Sequence, residues 1–236
     1  MLLSRQQRIS MRQNREFNKT NEPWNNLKLN HTTNIGAVMA LIKNSKATCF
    51  EEWESYYFQT GRERLEKIST ATNKSEISEI NRYHGRTQEE LLEIARRMAL
   101  YLDIPVEKAY NYVYIRVIDE TWLGYSRELK VLKQIQNISK KYFKLTASGV
   151  DSFTDTEYAV DFEVHQDDIL VLGIQLKSVK YRDSTMKAVD DVKKINKAKN
   201  DEYTAKFGAP VLYLYVDKGE VVNMNELIEF LDTLHP

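Results

Sequence analysis

From Asn34 to about Asp103, apolar residues recur at helical spacing. Ile35 to Ile42, Phe50 to Tyr57 and the run opening at Thr87 and ending at Leu102 each gather their large side chains on one side of a helix. Thr87 with Glu90 three residues on has capping-box form, and Asp103-Ile104-Pro105 marks the end of that helix. The first half of the chain is therefore predicted to be mostly helical.

The pattern then changes. A helix is predicted from around Asp119 to Gly124 through to about Lys141, with Leu129, Leu132 and Ile135 on one face, followed by a short strand at Tyr142 to Ala147. Alternation from Tyr158 to His165 predicts a strand, Gln166-Asp167-Asp168 a turn, and Ile169 to Lys177 a second, more apolar strand, which together make a hairpin. A lysine-rich helix from about Ser184 to Phe207, a breaker at Gly208-Ala209-Pro210, the strand Val211 to Val216 and a last helix, Met224 to Leu234, complete the order. That order predicts an α/β (α+β) fold, a mixed sheet flanked by helices with a mostly helical N-terminal half.

Chemistry concentrates in the hairpin. In its first strand Asp161 and Glu163 are two residues apart and are expected on one side, with Val160, Phe162 and Val164 on the other. In the second, Gln175 and Lys177 share a side, with Ile174 and Leu176 opposite. A turn centred near Asp167 would set the two polar pairs on the same surface of the sheet. Phosphodiester hydrolysis needs a hard divalent cation on oxygen ligands, an activated water, and positive charge where the transition state gathers negative charge. On this reading Asp161 is the principal Mg2+ ligand, Gln175 a neutral second ligand and Glu163 a further one, direct or through water. Lys177 serves the attacking water and the developing charge, and Glu128 on the preceding helix is a further candidate to hold a metal-bound water. Polar residues at alternate strand positions also fit a merely solvated face.

Composition narrows the class. With 236 residues, 42% hydrophobic and 11% aromatic, the chain is able to bury a sizeable core without disulfides or structural metal. Cys49 is the single cysteine, and His31, His84, His165 and His235 lack any mutual metal-ligand spacing, which disfavours a zinc or iron–sulfur site. No stretch reads as a signal peptide or membrane span, so a cytoplasmic protein is expected. Basic and acidic residues balance at 34 each, so any case for nucleic acid rests on local clusters. The arm carrying Arg5, Arg8, Arg12, Arg15 and Lys19 against Glu16 reads either as a solvated terminus or as a DNA-contacting arm. Arg62, Arg64 and Lys67, and the stretch Asn81 to Arg86 with Arg82, read either as solvated loops or as DNA contacts; Asn30 to Asn34 is a weaker candidate. Lys180 and Arg182, just beyond the second strand, are placed to meet a phosphate. The lysines of the helix up to Phe207 are mixed with acids and read as a water-facing surface.

Val160-Asp161 and Gln175-Leu176-Lys177, within this order of elements, resemble the PD-(D/E)xK nuclease superfamily over roughly the last half of the chain. Val160 stands where that pattern has proline, and Gln175 where it has an acid. The stretches Ile115 to Glu128, Tyr158 to Glu163 and Gly173 to Lys177 are similar to the MjaI family of type II restriction endonucleases. This resemblance implies Mg2+-dependent cleavage of double-stranded DNA at the palindrome CTAG, by a homodimer whose two-fold axis matches that of the site. It also implies a division into a helical region, 1–115, for DNA recognition or dimerisation, and a nuclease core, 116–236. A structure-specific repair or recombination nuclease and a non-catalytic DNA-binding protein are the rival readings of the same core.

Overall fold

The computed structural model describes residues 2–27, 38–82, 84–142 and 144–234. The chain forms two compact units, Met1–Tyr125 and Ser126–Pro236. Their boundary falls inside a helix, later than the expected division at residue 115.

The first unit is helical throughout its described residues. It comprises α1 (Arg5–Arg12), α2 (Arg15–Asn18), α3 (Asn21–Asn26), α4 (Val38–Ser45), α5 (Phe50–Thr70), α6 (Lys74–Arg82), α7 (Gln88–Leu102) and α8 (Val106–Tyr114), then a π-helical turn, Ile115–Asp119, and the start of α9 (Glu120–Ser139). The capping box is present: the Thr87 hydroxyl accepts from Glu90 N while the Glu90 carboxylate accepts from Thr87 N. The helix it opens, α7, ends at Asp103, whose φ of 52° is left-handed. Ile115, Val117 and Ile118 are fully buried in the π-helical turn, which the hydrophobic pattern alone did not distinguish from an α-helix.

In the N-terminal arm Arg5, Arg8 and Arg12 have partners, while Arg15 and Lys19 are exposed. Arg8 is 3% exposed and its guanidinium donates to both oxygens of Asp119 at 2.7 and 3.0 Å, while Arg12 donates to Glu120 at 3.0 Å and Arg5 lies over the Phe50 ring. Arg8 and Arg12 of α1 thus pair with the π-helical turn and its continuation, and Arg5 packs on α5. The Asn30 to Asn34 stretch lies outside the described residues.

The second unit holds a five-stranded sheet in the order β1-β2-β3-β4-β5, with β1 (Leu145–Gly149), β2 (Phe162–Gln166), β3 (Ile169–Ser178), β4 (Val211–Asp217) and β5 (Glu220–Val221). Neighbours run antiparallel except β3 and β4, which are parallel and joined through α11 (Val179–Asp183) and α12 (Lys187–Phe207). The expected mixed sheet flanked by helices is present. The hairpin turn is a two-residue one in which Asp167 and Asp168 both take positive φ, 48° and 65°, the conformation that matches strand twist.

One face of the sheet carries Phe162, Val164, Leu172, Ile174 and Leu214, packed with Val131 and Ile135 of α9 and with Leu227 and Leu231 of α13 (Met224–Thr233). The other face meets α10 (Ser152–Tyr158) and α12 through Val160, Tyr158, Tyr203 and Ala209. Here two expectations are corrected. Tyr158 ends a helix rather than opening a strand, and Val160 packs on the face opposite Phe162 and Val164. The irregularity lies in residues 159–161, which precede β2: Ala159 takes a left-handed φ of 54°, and regular strand geometry begins only at Phe162.

Candidate active site

The ladder between β2 and β3 ends at the pair Phe162–Ile174, but β3 continues to Ser178. Asp161 lies where the strands part. Its backbone N–H donates to Ile174 O at 2.8 Å, and its Oδ2 accepts from the backbone N–H of Leu176 at 2.7 Å. The carboxylate is therefore held against the Gln175-Leu176-Lys177 backbone by the donor that β2 no longer satisfies, and the residue remains half-buried rather than walled into the core.

Gln175 and Lys177 project from the face covered by α12, beside Tyr213 and Tyr215 of β4 in the parallel register. Gln175 is 1% exposed, and its Oε1 is buried without a hydrogen-bond partner. A lone buried amide oxygen costs about 1–3 kcal/mol, so its retention calls for an explanation beyond packing. Lys177 is half-buried, with its Nζ 5.6 Å from the Tyr181 ring centroid.

Glu163 lies opposite Gly173 and its Oε1 accepts from the Tyr203 hydroxyl at 2.7 Å, with His165 Nε2 at 3.9 Å from Oε2. Tyr203 is fully buried over Gly173, where an added Cβ would come within 2.8 Å of its ring, so glycine is required there by close approach. Burial, the Glu163 hydrogen bond and its negative charge hold the Tyr203 hydroxyl neutral by raising its pKa. Glu128 is half-buried on α9, the helix packed on the opposite face of the sheet from Gln175 and Lys177.

Asn200 of α12 was not singled out by sequence reasoning. It is buried, donates from Nδ2 to Tyr158 O at 2.9 Å and Ala159 O at 3.3 Å, and accepts the Tyr213 hydroxyl at 2.6 Å. It thus fixes the left-handed corner that leads into Asp161. A lone Asn in a lysine-rich helix carries no pattern that would have revealed this.

Among the described residues, no group of three His, Cys, Asp or Glu side chains is gathered as a metal cage. The donors at hand are one carboxylate and the orphan amide oxygen. That set fits Mg2+, a hard cation that binds through one or two carboxylates and keeps several waters, better than zinc.

A family model described as MjaI restriction endonuclease matches residues 20–223. The chain belongs to that family. Membership makes it a type II restriction endonuclease, a nuclease whose partner is DNA. No curated protein and no solved structure matches the chain.

For an MjaI-family endonuclease, the cations expected at DNA divide sharply. Arg64 is 4% exposed, with Nε donating to Gly85 O, one terminal nitrogen to Asn81 Oδ1 and the other to Glu90. Three of the five guanidinium donors are engaged within the unit, and burial leaves little of the group facing solvent. The same clamp explains Gly61 and Gly85, where a Cβ would lie 2.4 Å from the Arg86 carbonyl carbon and 2.1 Å from Tyr57 O, respectively. Arg86 is half-buried and pairs with Glu90 at 3.4 Å, whereas Arg62 on α5 is exposed. Arg82 ends α6, with its side chain outside the described residues. Lys180 and Arg182 are exposed on α11, directly after Lys177's strand; Arg182 pairs with Asp183 at 2.7 Å and lies 5.3 Å from the Tyr215 ring. No described helix is long and apolar enough to cross a membrane.

Proposed function

We propose that this endonuclease hydrolyses duplex DNA with Mg2+ at a short palindromic site, CTAG by family likeness, using Asp161, Gln175 and Lys177. The observation that carries the proposal is the buried, unpartnered Gln175 Oε1 on the strand segment that the Asp161 carboxylate grips. The order α9, β1, β2, β3, α12, β4 supports the PD-(D/E)xK assignment.

Asp161 and the Gln175 oxygen would hold the metal, with Glu163 reaching it through water. Bound there, Mg2+ supplies Lewis acidity toward a phosphoryl oxygen and lowers the pKa of water. Lys177, two residues on from Gln175 on the same face, orients the attacking water and offsets charge on the phosphorane-like transition state. Asp161 needs a fixed carboxylate, and the Leu176 N–H fixes it. The neutral amide at 175 leaves the site one negative charge short of an acid-bearing one, so weaker metal affinity is expected. Lys180 and Arg182 would contact phosphates flanking the cut, and Arg62 another phosphate of the DNA. A homodimer would match the palindrome's symmetry, and reduced Cys49 suits the cytoplasm.

Digestion of a sequenced plasmid with Mg2+, followed by mapping of the ends, tests the reading. Discrete fragments ending at one short palindrome are expected; a smear, or cutting only of branched DNA, would overturn the site-specific reading.

A further inference from the structure

α11, α12 and β4 enclose a cleft of about 530 Å³ beside the proposed active site, a volume typical of small-molecule sites. Three tyrosines line it. Tyr213 and Tyr215 stack with centroids 6.2 Å apart and planes 24° from parallel, and Tyr181 closes the wall from α11. Two of the hydroxyls are tied: Tyr213 donates to Asn200 Oδ1 at 2.6 Å, and Tyr181 accepts from Asn196 Nδ2 at 3.1 Å. The rings are thus set in place before any ligand arrives.

Cations border the rings. Arg182, Lys193 and Lys197 line the cleft with Asp201, which pairs with Lys197 at 2.6 Å; Arg182 pairs with Asp183 at 2.7 Å, and Lys193 donates to Arg182 O, Ser184 O and Asp190. Lys193 lies 5.9 Å from the Tyr181 ring, and Lys177 lies 5.6 Å from the same ring. Tyr215 is Lys177's neighbour across the parallel ladder. Two rings of the cleft therefore border the residue assigned to the scissile phosphate.

Aromatic rings interleaved with cations form a stacking platform for nucleic-acid bases with positions for the backbone phosphates. A base still paired in a duplex offers only its edge in the grooves, and its face becomes available only outside the stack. We propose that this cleft receives one unpaired nucleotide of the DNA strand next to the cut, its base against Tyr181 and Tyr215 and its phosphates toward Arg182. The proposal rests on the nuclease reading of Asp161, Gln175 and Lys177 for the position of the cut, but not for the binding itself. Because every base has a π-face, the cleft contributes affinity without reading sequence.

The test uses the full chain without metal and a fluorescein-labelled, eight-nucleotide oligothymidylate, with binding read by anisotropy. Tyr181→Ala and Tyr215→Leu are each expected to weaken binding about tenfold, while Tyr181→Phe, which keeps the ring, stays within about twofold. Binding unchanged in both ring-deleting variants would overturn the proposal. A second reading needs only the unmodified protein: 2-aminopurine placed in the oligonucleotide should be quenched on binding, and unchanged emission at saturation would overturn it equally. Asp161→Asn, whose side chain does not line the cleft, separates this idea from the catalytic one, since it should bind the oligonucleotide normally and fail to cut plasmid. If Asp161→Asn cuts normally, the nuclease assignment fails while the oligonucleotide data still decide the cleft.

Discussion

The Asp161 carboxylate accepts the backbone N–H of Leu176 at 2.7 Å, so the acid of one strand is clipped to the midpoint of Gln175-Leu176-Lys177 on the next. This contact has a useful consequence for mutagenesis. Asp161→Asn retains an oxygen for Leu176 and removes only the negative charge. It is expected to fold as the unmodified protein does, bind DNA, and lose at least about a hundredfold in cleavage rate, the scale of removing one charge-stabilising group. Asp161→Ala should lose the clip as well and lower thermal stability in addition. Plasmid cleavage paired with thermal melts distinguishes the two, and an active Asp161→Asn variant would remove Asp161 from the chemistry.

Gln175 gives a metal readout that is independent of turnover. A carboxylate at this buried position is costly when unpaired, so Gln175→Glu should melt lower than the unmodified protein without metal. Adding Mg2+ should raise its melting temperature, because a ligand that binds only the native state stabilises it by mass action. Gln175→Leu, which removes the orphan oxygen, should be as stable as the unmodified protein or more so, yet inactive. A Gln175→Glu melting temperature indifferent to Mg2+ would place the metal elsewhere.

What the sequence revealed and what it hid have the same physical origin. Regular periodicity reports regular structure: the run ending at Leu102, the turn at Asp167-Asp168 and the apolar strand through Ile174 were all legible, as was the pairing of Gln175 with Lys177 on one face. Ala159 was not, since alanine carries no mark of a left-handed φ, and neither was the packing of Val160 with Tyr203. Arg8 and Arg64 read as candidate DNA contacts because sequence shows charge and not partners. Their partners, Asp119 and Glu90, lie 111 and 26 residues away along the chain.

Asn200 is expected to act as a positioning residue. Its forked bonds to Tyr158 O and Ala159 O hold the corner ahead of Asp161. Asn200→Ala should lower kcat by about ten- to a hundredfold, the usual scale for a group supporting a ligand. KM for DNA should change little, and circular dichroism should stay native. A loss confined to KM would instead assign Asn200 to DNA binding.

Glu90 predicts a defined acid sensitivity in the helical unit. Burial acts to raise its pKa, but the Arg64 hydrogen bond, the Thr87 N–H and the neighbouring positive charges outweigh this and lower it. A depressed native pKa contributes stability above the ordinary value of about 4.3, and that contribution is lost as pH falls through the native value. Glu90→Gln keeps a cap for Thr87 but has one oxygen where the carboxylate has two. It should cost about 2–3 kcal/mol at pH 7 and flatten the decline of stability with pH below about 4. Denaturant melts across pH 3 to 7 check this, and an undiminished acid slope in the variant would shift the origin of the sensitivity to other carboxylates.

Arg8 and Asp119 form a pair in which both side chains are under 10% exposed, 4% and 7%. Each charge is tolerable only because of the other, so removing one should be far worse than removing both. Asp119→Ala leaves a buried guanidinium beside Tyr114 and is expected to destabilise by about 3–5 kcal/mol. Arg8→Met combined with Asp119→Leu replaces the pair with apolar volume and should recover most of that loss. A double-mutant cycle by chemical denaturation measures the coupling, and additive single losses would mean that α1 is held by its other contacts, such as Arg12 with Glu120, rather than by this pair.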